Sequence, residues 1–595
     1  MSRLVLCLAA LLGSAAPAGA ALPTPVASAG PSAPSLDEAG RAAWRMAFAA
    51  LHSGDWAAAQ AAIDAAPEGP LKPVAEAELW TARGAPVPDA ATLATLLATA
   101  SAYPEAPALA ALARQLGATT LLPLPYQQTL LRVSGASKRQ SARANRADAA
   151  YQTLSTEVQP LIKAGDIASA EPLVEAAAEQ LAPEALTEWR QRLAWAYFQA
   201  GNDRDAVRLA ALARAGAGAW AVEAAWVQGL SAWRQANYAT AANAFAEVAA
   251  RAPDKETEAA GLFWAARSDT AGGRPQFVSA RLRQAGRLSE TFYGTLAAAA
   301  LGTPMAASPP APAVDFALSR QPNLVAAAAL ADLGETDLAD QFIRQQARIG
   351  RAADHAALIA FAGTLNLPRT QLWLCQNMPA GAQSALVARY PMPAWAPAGG
   401  WRVDRALLYA HALQESQFRV DAVSRAGARG LMQLMPGTAR LVARHKGDPS
   451  GTELRLTEPA LNFEYGQSYL EELADHAGTG GLLPKVIAAY NAGPNNVALW
   501  NLQASVQNDP LLFIEAIPFA ETRAYVAIVL RNYWMYQRET GAPSPSLETL
   551  AQERWPRFPH VTMARATPSP VAPPRATATA TATWASAGPL GQTGS

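Results

Sequence analysis

Cysteine is nearly missing from this chain: 595 residues hold two, Cys7 and Cys375. Cys7 lies in an N-terminal apolar stretch expected to be removed, which leaves Cys375 alone in the mature chain. An intrachain disulfide is therefore excluded, and packing must supply stability even in an oxidising compartment. Net charge is missing too: 48 Lys and Arg balance 48 Asp and Glu. A zero balance gives no global basic field, so a nucleic-acid partner is not expected. No apolar run after the N-terminus is free of charge and glycine for long enough to cross a bilayer, so no integral membrane segment is expected in the mature chain. Strand-like alternation is scarce. His411 and His445 have no metal-ligand spacing around them, and no phosphate loop, Ser–His–Asp set or dinucleotide fingerprint occurs. No metal and no cofactor are expected.

What is present is helical. From about residue 36 to 390, Ala, Leu and Trp recur at helical spacing. A small motif recurs at helix–turn–helix junctions: Gly54-Asp55 with Ala59, Gly165-Asp166 with Ala170, Gly201-Asn202 with Ala206, Ala236-Asn237 with Ala241, and Gly334-Glu335 with Ala339. Glycine suits a left-handed helix end, Asp or Asn caps the next helix, and alanine lets two helices approach. The junctions at Gly201 and Ala236 are 35 residues apart, near the ~34-residue tetratricopeptide period, so a degenerate TPR-like α-solenoid is predicted. Trp195, Trp226, Trp233 and Trp264 are read as core filler between repeats in preference to sugar-stacking platforms. A basic stretch, Lys138 to Arg146, reads as a solvated helix face or loop, with contact to an anionic polymer as the alternative.

The ends differ from the middle. Arg3, the apolar Leu4–Leu12 and the small residues Ala18-Gly19-Ala20 read as a secretory signal cleaved near Ala20. Residues 21–35 then form a linker, 36–395 the repeat region and 396–540 a second domain. Pro391 to Pro397 marks the boundary between them. After 541 the chain turns rich in Pro, Ala and Thr, and 541–595 is expected to be a low-complexity disordered tail. The fold class expected is all-α.

The chemistry gathers in residues 400–540. Ala406, Leu407, Ala410 and Leu413 share a helix face, and Glu415 closes that helix. A Glu partly removed from water holds its proton near neutral pH, as a general acid must. Asp421 follows closely but sits where a loop is expected. Further on come Gly430-Leu431-Met432-Gln433-Leu434-Met435-Pro436, then Ala489-Tyr490-Asn491-Ala492-Gly493-Pro494, then Ile517-Pro518-Phe519-Ala520-Glu521-Thr522-Arg523-Ala524-Tyr525-Val526. A helix from Asn462 to Leu470, with Gly466 and Tyr469, fits between them.

With these blocks in this order, the chain resembles the soluble lytic transglycosylases, which cleave bacterial peptidoglycan with a lysozyme-like, mostly helical catalytic domain. The resemblance implies that Glu415 protonates the oxygen between N-acetylmuramic acid and N-acetylglucosamine. It implies that Glu415 then takes the proton of the C6 hydroxyl as a 1,6-anhydro ring closes. Met432 and Met435 are expected to form an apolar wall. Gln433, Ser424 and Tyr490 are expected to bind sugar or acetamido groups. Asn491 is expected to do the same or to cap the Gly493-Pro494 turn, and Glu521 to contact substrate or tune Glu415; a salt bridge to Arg523 or a helix-end charge are the alternatives for Glu521. The partners implied are periplasmic glycan strands, with cell-wall synthesis or secretion partners possible on the solenoid. The competing expectations are a hydrolytic muramidase on the same fold and a scaffold whose solenoid is the working part.

Overall fold

The computed structural model describes residues 36–303, 308–309, 316–502 and 508–560. The expected signal segment and the linker at 21–35 lie outside the described residues, as do most of residues 304–314, a proline-rich stretch that reads as a linker or long loop within the helical array. Within them the chain is helical from Glu38 to Ala551, and the two strands, Leu131–Arg132 and Asn377–Met378, form one antiparallel pair. The all-α solenoid followed by a mostly helical second domain is the fold observed. Among the described residues no helix is long and apolar enough to cross a membrane.

The repeat junctions follow the predicted chemistry. Gly54, Gly165 and Gly201 end their helices in the left-handed region, and Asp55, Asp166, Asn202 and Asn237 each accept a hydrogen bond from a backbone N–H in the first turn of the next helix. Ala59, Ala170, Ala206, Ala241 and Ala339 are all fully buried where paired helices meet. Two positions depart from the rule. Glu335 makes no side-chain cap, because its longer side chain does not fold back as Asp does. Ala236 adopts φ 54°, a conformation its Cβ disfavours.

The helices do not pack in simple chain order. Those of residues 38–115 share one apolar core with those of 318–388. Those of residues 149–300 share a second core with residues 390–558. The crossing segment between the two bodies is tied at several points. Gln128 donates to the carbonyls of Ala347 and Gly350, Leu131–Arg132 pairs with Asn377–Met378, and Arg139 reaches Glu515 at 3.0 Å. The basic stretch is thus the expected loop, an extended and partly half-buried connector, and not a helix face. Cys375 is buried and free, and burial pushes its thiol up to about 12.

The four tryptophans pack as predicted for Trp264 and Trp226, which are buried, while Trp195 and Trp233 are half-buried. Each carries a guanidinium over its ring: Arg523 on Trp195, Arg139 on Trp226, Arg267 on Trp233 and Trp264.

The expected tail begins too early at 541. Residues 545–551 form a helix with Leu547 and Leu550 buried, Trp534 donates to Ser546, the Leu483 N–H donates to Pro556, and Arg267 pairs with Glu553. Leu547, Leu550 and Phe558 supply the apolar surface that the Pro-rich composition obscured. The rest of the expected tail, from 561, lies outside the described residues.

Two outcomes follow from this packing. Ala236→Gly should stabilise the junction by about 0.5–1 kcal/mol, because glycine removes the left-handed penalty; hydrogen exchange in the Tyr238–Ala250 helix should slow, and faster exchange would contradict it. A chain ending at 540 should melt at least ~5 °C below one ending at 560, because it exposes part of the second core; equal melting would return the boundary to 541.

Candidate active site

The helix Arg405–Glu415 explains how one carboxyl comes to be half-buried. Seven consecutive residues, Ala406 to Ala412, are buried, so the helix is enclosed all round and not only on one face. Asp404 caps it through the Ala406 N–H, and the second oxygen of Asp404 accepts from Tyr533 and Gln537. The tyrosines Tyr409 and Tyr536 donate to the Pro393 and Pro391 carbonyls, pinning the boundary loop to this helix and to the long helix Ala520–Glu539, called here the closing helix.

After Glu415 the chain reverses sharply. Gln417 and Phe418 both have positive φ, at 52° and 61°, and Phe418 is buried. Gln433 adds a third non-glycine left-handed residue at φ 46°. Such conformations cost on the order of 1 kcal/mol each and persist only where packing over-determines them. Here two of them directly follow the helix that ends at Glu415.

Burial pushes the Glu415 carboxyl up to about 7; a hydrogen bond from Tyr525 opposes the rise and the nearby Glu521 carboxylate adds to it. Tyr525 donates to Oε1 at 2.6 Å. The helix C-terminus, where Glu415 sits, also disfavours a negative charge. His411 lies one turn back, fully buried, with Nδ1 on the Leu407 carbonyl at 2.8 Å. Burial lowers its pKa to about 4, so it stays neutral and does not compete for the role of acid. Its ring meets Tyr490 edge-on at 4.9 Å, and Glu415 is close enough to Tyr490 to help push that phenol upward, after burial.

The other predicted residues fall into two groups. Tyr490 and Glu521 are brought near Glu415, Tyr490 with its hydroxyl donating to the Met432 carbonyl at 2.7 Å. Glu521 is exposed in the first turn of the closing helix. The alternative salt bridge to Arg523 is not formed: Arg523 donates to the Ile517 carbonyl at 2.8 Å and stacks on Trp195. The second group holds the backbone. Ser424 Oγ accepts from the Ala428 N–H, and Gln433 spends both amide hydrogens on the Ala422 and Gly430 carbonyls. Only the amide oxygen of Gln433 is left for a ligand. Asn491 accepts from Thr522 at 2.6 Å, joining the Leu483–Ala492 helix to the closing helix. Met432 is fully buried, while Met435 is 43% exposed beside Pro436, so the apolar wall open to a ligand is Met435.

Sequence reasoning missed two residues. Tyr525 stands in a quoted block, but its hydroxyl could not be paired with Glu415 across 110 positions. Asn462 spends both amide hydrogens and its oxygen on the loop: it accepts from Met432 N–H and donates to the Leu456 and Arg429 carbonyls. Gly430 is required beside it, since a Cβ there would lie 2.2 Å from Asn462 Nδ2. The signal available was the juxtaposition of a buried-helix Asn with an obligate glycine. Among the described residues no group of His, Cys, Asp and Glu could hold a metal ion.

An enclosed helix ending in one half-buried acid, within a helical domain behind a solenoid, defines a class before it defines a family. Residues 394–513 match the family model described as Transglycosylase SLT domain. A segment of the chain is 35% identical over 159 residues to the soluble lytic murein transglycosylase of Escherichia coli strain K12, covering 27% of this chain and 24% of that protein. The putative soluble lytic murein transglycosylase of Haemophilus influenzae is 37% identical over 145 residues, 24% of each chain. These sequence matches span about a quarter of the length of the curated relatives. In structure, the chain is similar to the 70-kDa soluble lytic transglycosylase solved with bulgecin A, with TM-score 0.59, 18% identity and coverage of 88% of this chain and 100% of that one. It is also similar to an inactive mutant of the lytic transglycosylase Slt from Pseudomonas aeruginosa, with TM-score 0.51, 19% identity and coverage of 88% and 89%. The segment that carries Glu415 is thus similar to the Transglycosylase SLT domain.

The raised pKa of Glu415 has a stability consequence. Its folded value of about 7 lies above the ordinary carboxyl value of 4.5. The favourable contribution of the protonated group is complete below 4.5 and is lost as pH rises through 7. Glu415→Gln cannot ionise, so it should melt about 2–4 °C above the parent at pH 8 and level with it at pH 4.5. A pH-independent difference would show that Glu415 is not held out of water.

Proposed function

We propose that this chain is a periplasmic lytic transglycosylase that cleaves the β-1,4 bond between N-acetylmuramic acid and N-acetylglucosamine in peptidoglycan, leaving 1,6-anhydromuramic ends. The observation that carries the reading is the single protonated acid. Hydrolytic glycosidases commonly use two carboxylates across the bond. Here Asp421 and Glu521 are both exposed, and of these three carboxyls Glu415 alone is withdrawn from water and pushed up.

One group then serves both halves of the reaction. Glu415 gives its proton to the glycosidic oxygen as the C1–oxygen bond breaks. The 2-acetamido oxygen of the same sugar stabilises the cation developing at C1. The Glu415 carboxylate next takes the proton of the C6 hydroxyl, whose oxygen bonds to C1. Every proton is returned and no water enters. Tyr525 fixes Oε1, which leaves Oε2 to carry the travelling proton. Tyr490, its proton committed to Met432, can only accept from a ligand. Ser424, with its oxygen already accepting, can still donate its hydrogen. The amide oxygen of Gln433, the exposed thioether of Met435 and the carboxylate of Glu521 complete the surface offered to sugar, while Asn491 serves the helix junction. The repeat region is assigned to residues 36–395 and the catalytic domain from 396 to at least 560.

Glu415→Gln should lower sacculus digestion by roughly 10²–10⁴-fold or more, since general acid and base help are both lost. The rate of the parent should fall as pH rises through about 7. Digestion in ¹⁸O water should give anhydro products with no label at C1. Labelled, reducing muramic ends as the main product would make the chain a muramidase.

A further inference from the structure

A cavity of about 1170 Å³ opens between the repeat helices and the closing helix. Glu415, Tyr490 and Tyr525 are not among its walls, so it is distinct from the site above. The extended connector at Lys138–Ala142 borders it, which gives the basic stretch a place in the molecule.

The charges on its walls do not all cancel. Arg139 pairs with Glu515, Arg192 with Glu188 and Glu256 with Arg531. Among the described residues, Lys138, Lys163 and Arg523 have no carboxylate at ion-pair distance, and Glu223 is the one wall carboxylate left over. Arg523 is the most constrained of the three cations. Its Cζ lies over the Trp195 ring at 4.6 Å, Trp195 in turn stacks on Phe198 at 5.2 Å, and one N–H is fixed by the Ile517 carbonyl. Of its five donors, four remain. Burial works against its charge, with Glu223 and Glu515 nearby in partial compensation. A half-buried guanidinium with an open fork is matched by a planar carboxylate.

The surroundings narrow the ligand further. Guanidinium groups lie over Trp195, Trp220 and Trp226, so the indoles offer poor platforms for sugar. Glu223, between Arg139 and Arg523, would repel a phosphate dianion but can accept from an ammonium or amide N–H. Ala196, Ala200, Ala524 and Ala527 leave room for small apolar side chains.

We propose that this cavity binds a short peptide bearing a free carboxylate, with the carboxylate on Arg523 and an N–H on Glu223. The peptide chemistry is that of the stem borne by muramic acid; this identification of its source rests on the proposed function, whereas the anion site itself does not. Arg523 is two residues from both Glu521 and Tyr525 on the closing helix, so a bound peptide would sit against the same helical turn that orients Glu415.

The test is calorimetric titration of the full chain with a synthetic acidic alanyl tetrapeptide, its fully amidated twin and an N-acetylglucosamine tetramer. The free-acid peptide should bind with Kd below about 1 mM, and amidation should weaken it at least about tenfold. Arg523→Gln should weaken the acid peptide by at least about tenfold and remove the difference between the two peptides, while Arg523→Lys should lose less. Glu415→Gln should bind as the parent does, and the sugar tetramer should not displace the peptide. Equal binding of both peptides, no binding at ~10 mM, or displacement by the tetramer would each overturn the proposal. Should Arg523→Gln fail to fold, the comparison of acid and amidated peptides on the parent chain decides the question by itself. Anhydro products without peptide binding would remove the cavity site alone; peptide binding with labelled, reducing products would remove the transglycosylase reading alone.

Discussion

The removal of the Glu415 carboxyl from water is the constraint around which the C-terminal domain is arranged. A carboxyl resists burial unless it is neutral, and a neutral acid is of use only if some group keeps it oriented. The enclosed helix ending at Glu415 supplies the burial, and Tyr525 supplies the orientation at 2.6 Å. His411, neutral because it too is buried, fills the space behind without adding a charge. The tight reversal through Gln417 and Phe418 is the backbone cost of ending a buried helix at an open surface. The loop from Ala422 to Met432 is in turn clamped by Asn462 and Gln433, so much of the polar chemistry near the acid is spent on shape.

The solenoid is not an appendage to this arrangement. Its middle helices share one continuous core with the C-terminal domain, and its first helices close on its last through a second core. Arg139, Asp509 and Glu515 carry polar ties across the seam, Trp233 and Arg267 both meeting Asp509. The closing helix therefore faces two ways. Tyr525 looks toward the acid, and Arg523 looks toward the seam cavity.

How much of this was legible in the sequence follows from the range of each interaction. The junction motif could be read because a glycine, a cap and an alanine act within six residues, and the caps at Asp55, Asp166, Asn202 and Asn237 formed. Glu415 could be read because an acid ending an apolar helix is a local anomaly. The Tyr525–Glu415 bond spans 110 residues and the pairing of Leu131–Arg132 with Asn377–Met378 spans more, and neither leaves a periodic trace. Side-chain type does not reveal that the turn also uses the Gln433 amide hydrogens and the Ser424 oxygen, leaving only the Gln433 oxygen and the Ser424 hydrogen for a ligand. The boundary at 541 misled because a Pro-, Ala- and Thr-rich composition hid three apolar anchors, Leu547, Leu550 and Phe558.

Everything above turns on Glu415 being a neutral acid near pH 7 in the unliganded protein. Infrared difference spectra between the parent chain and Glu415→Gln, recorded from pH 4 to 9, isolate the carbonyl stretch of this one protonated carboxyl. The band should persist at pH 6 and disappear with a midpoint of about 7. A midpoint near the ordinary carboxyl value of 4.5 would mean that the site does not hold its proton, and the mechanism built on it would fall.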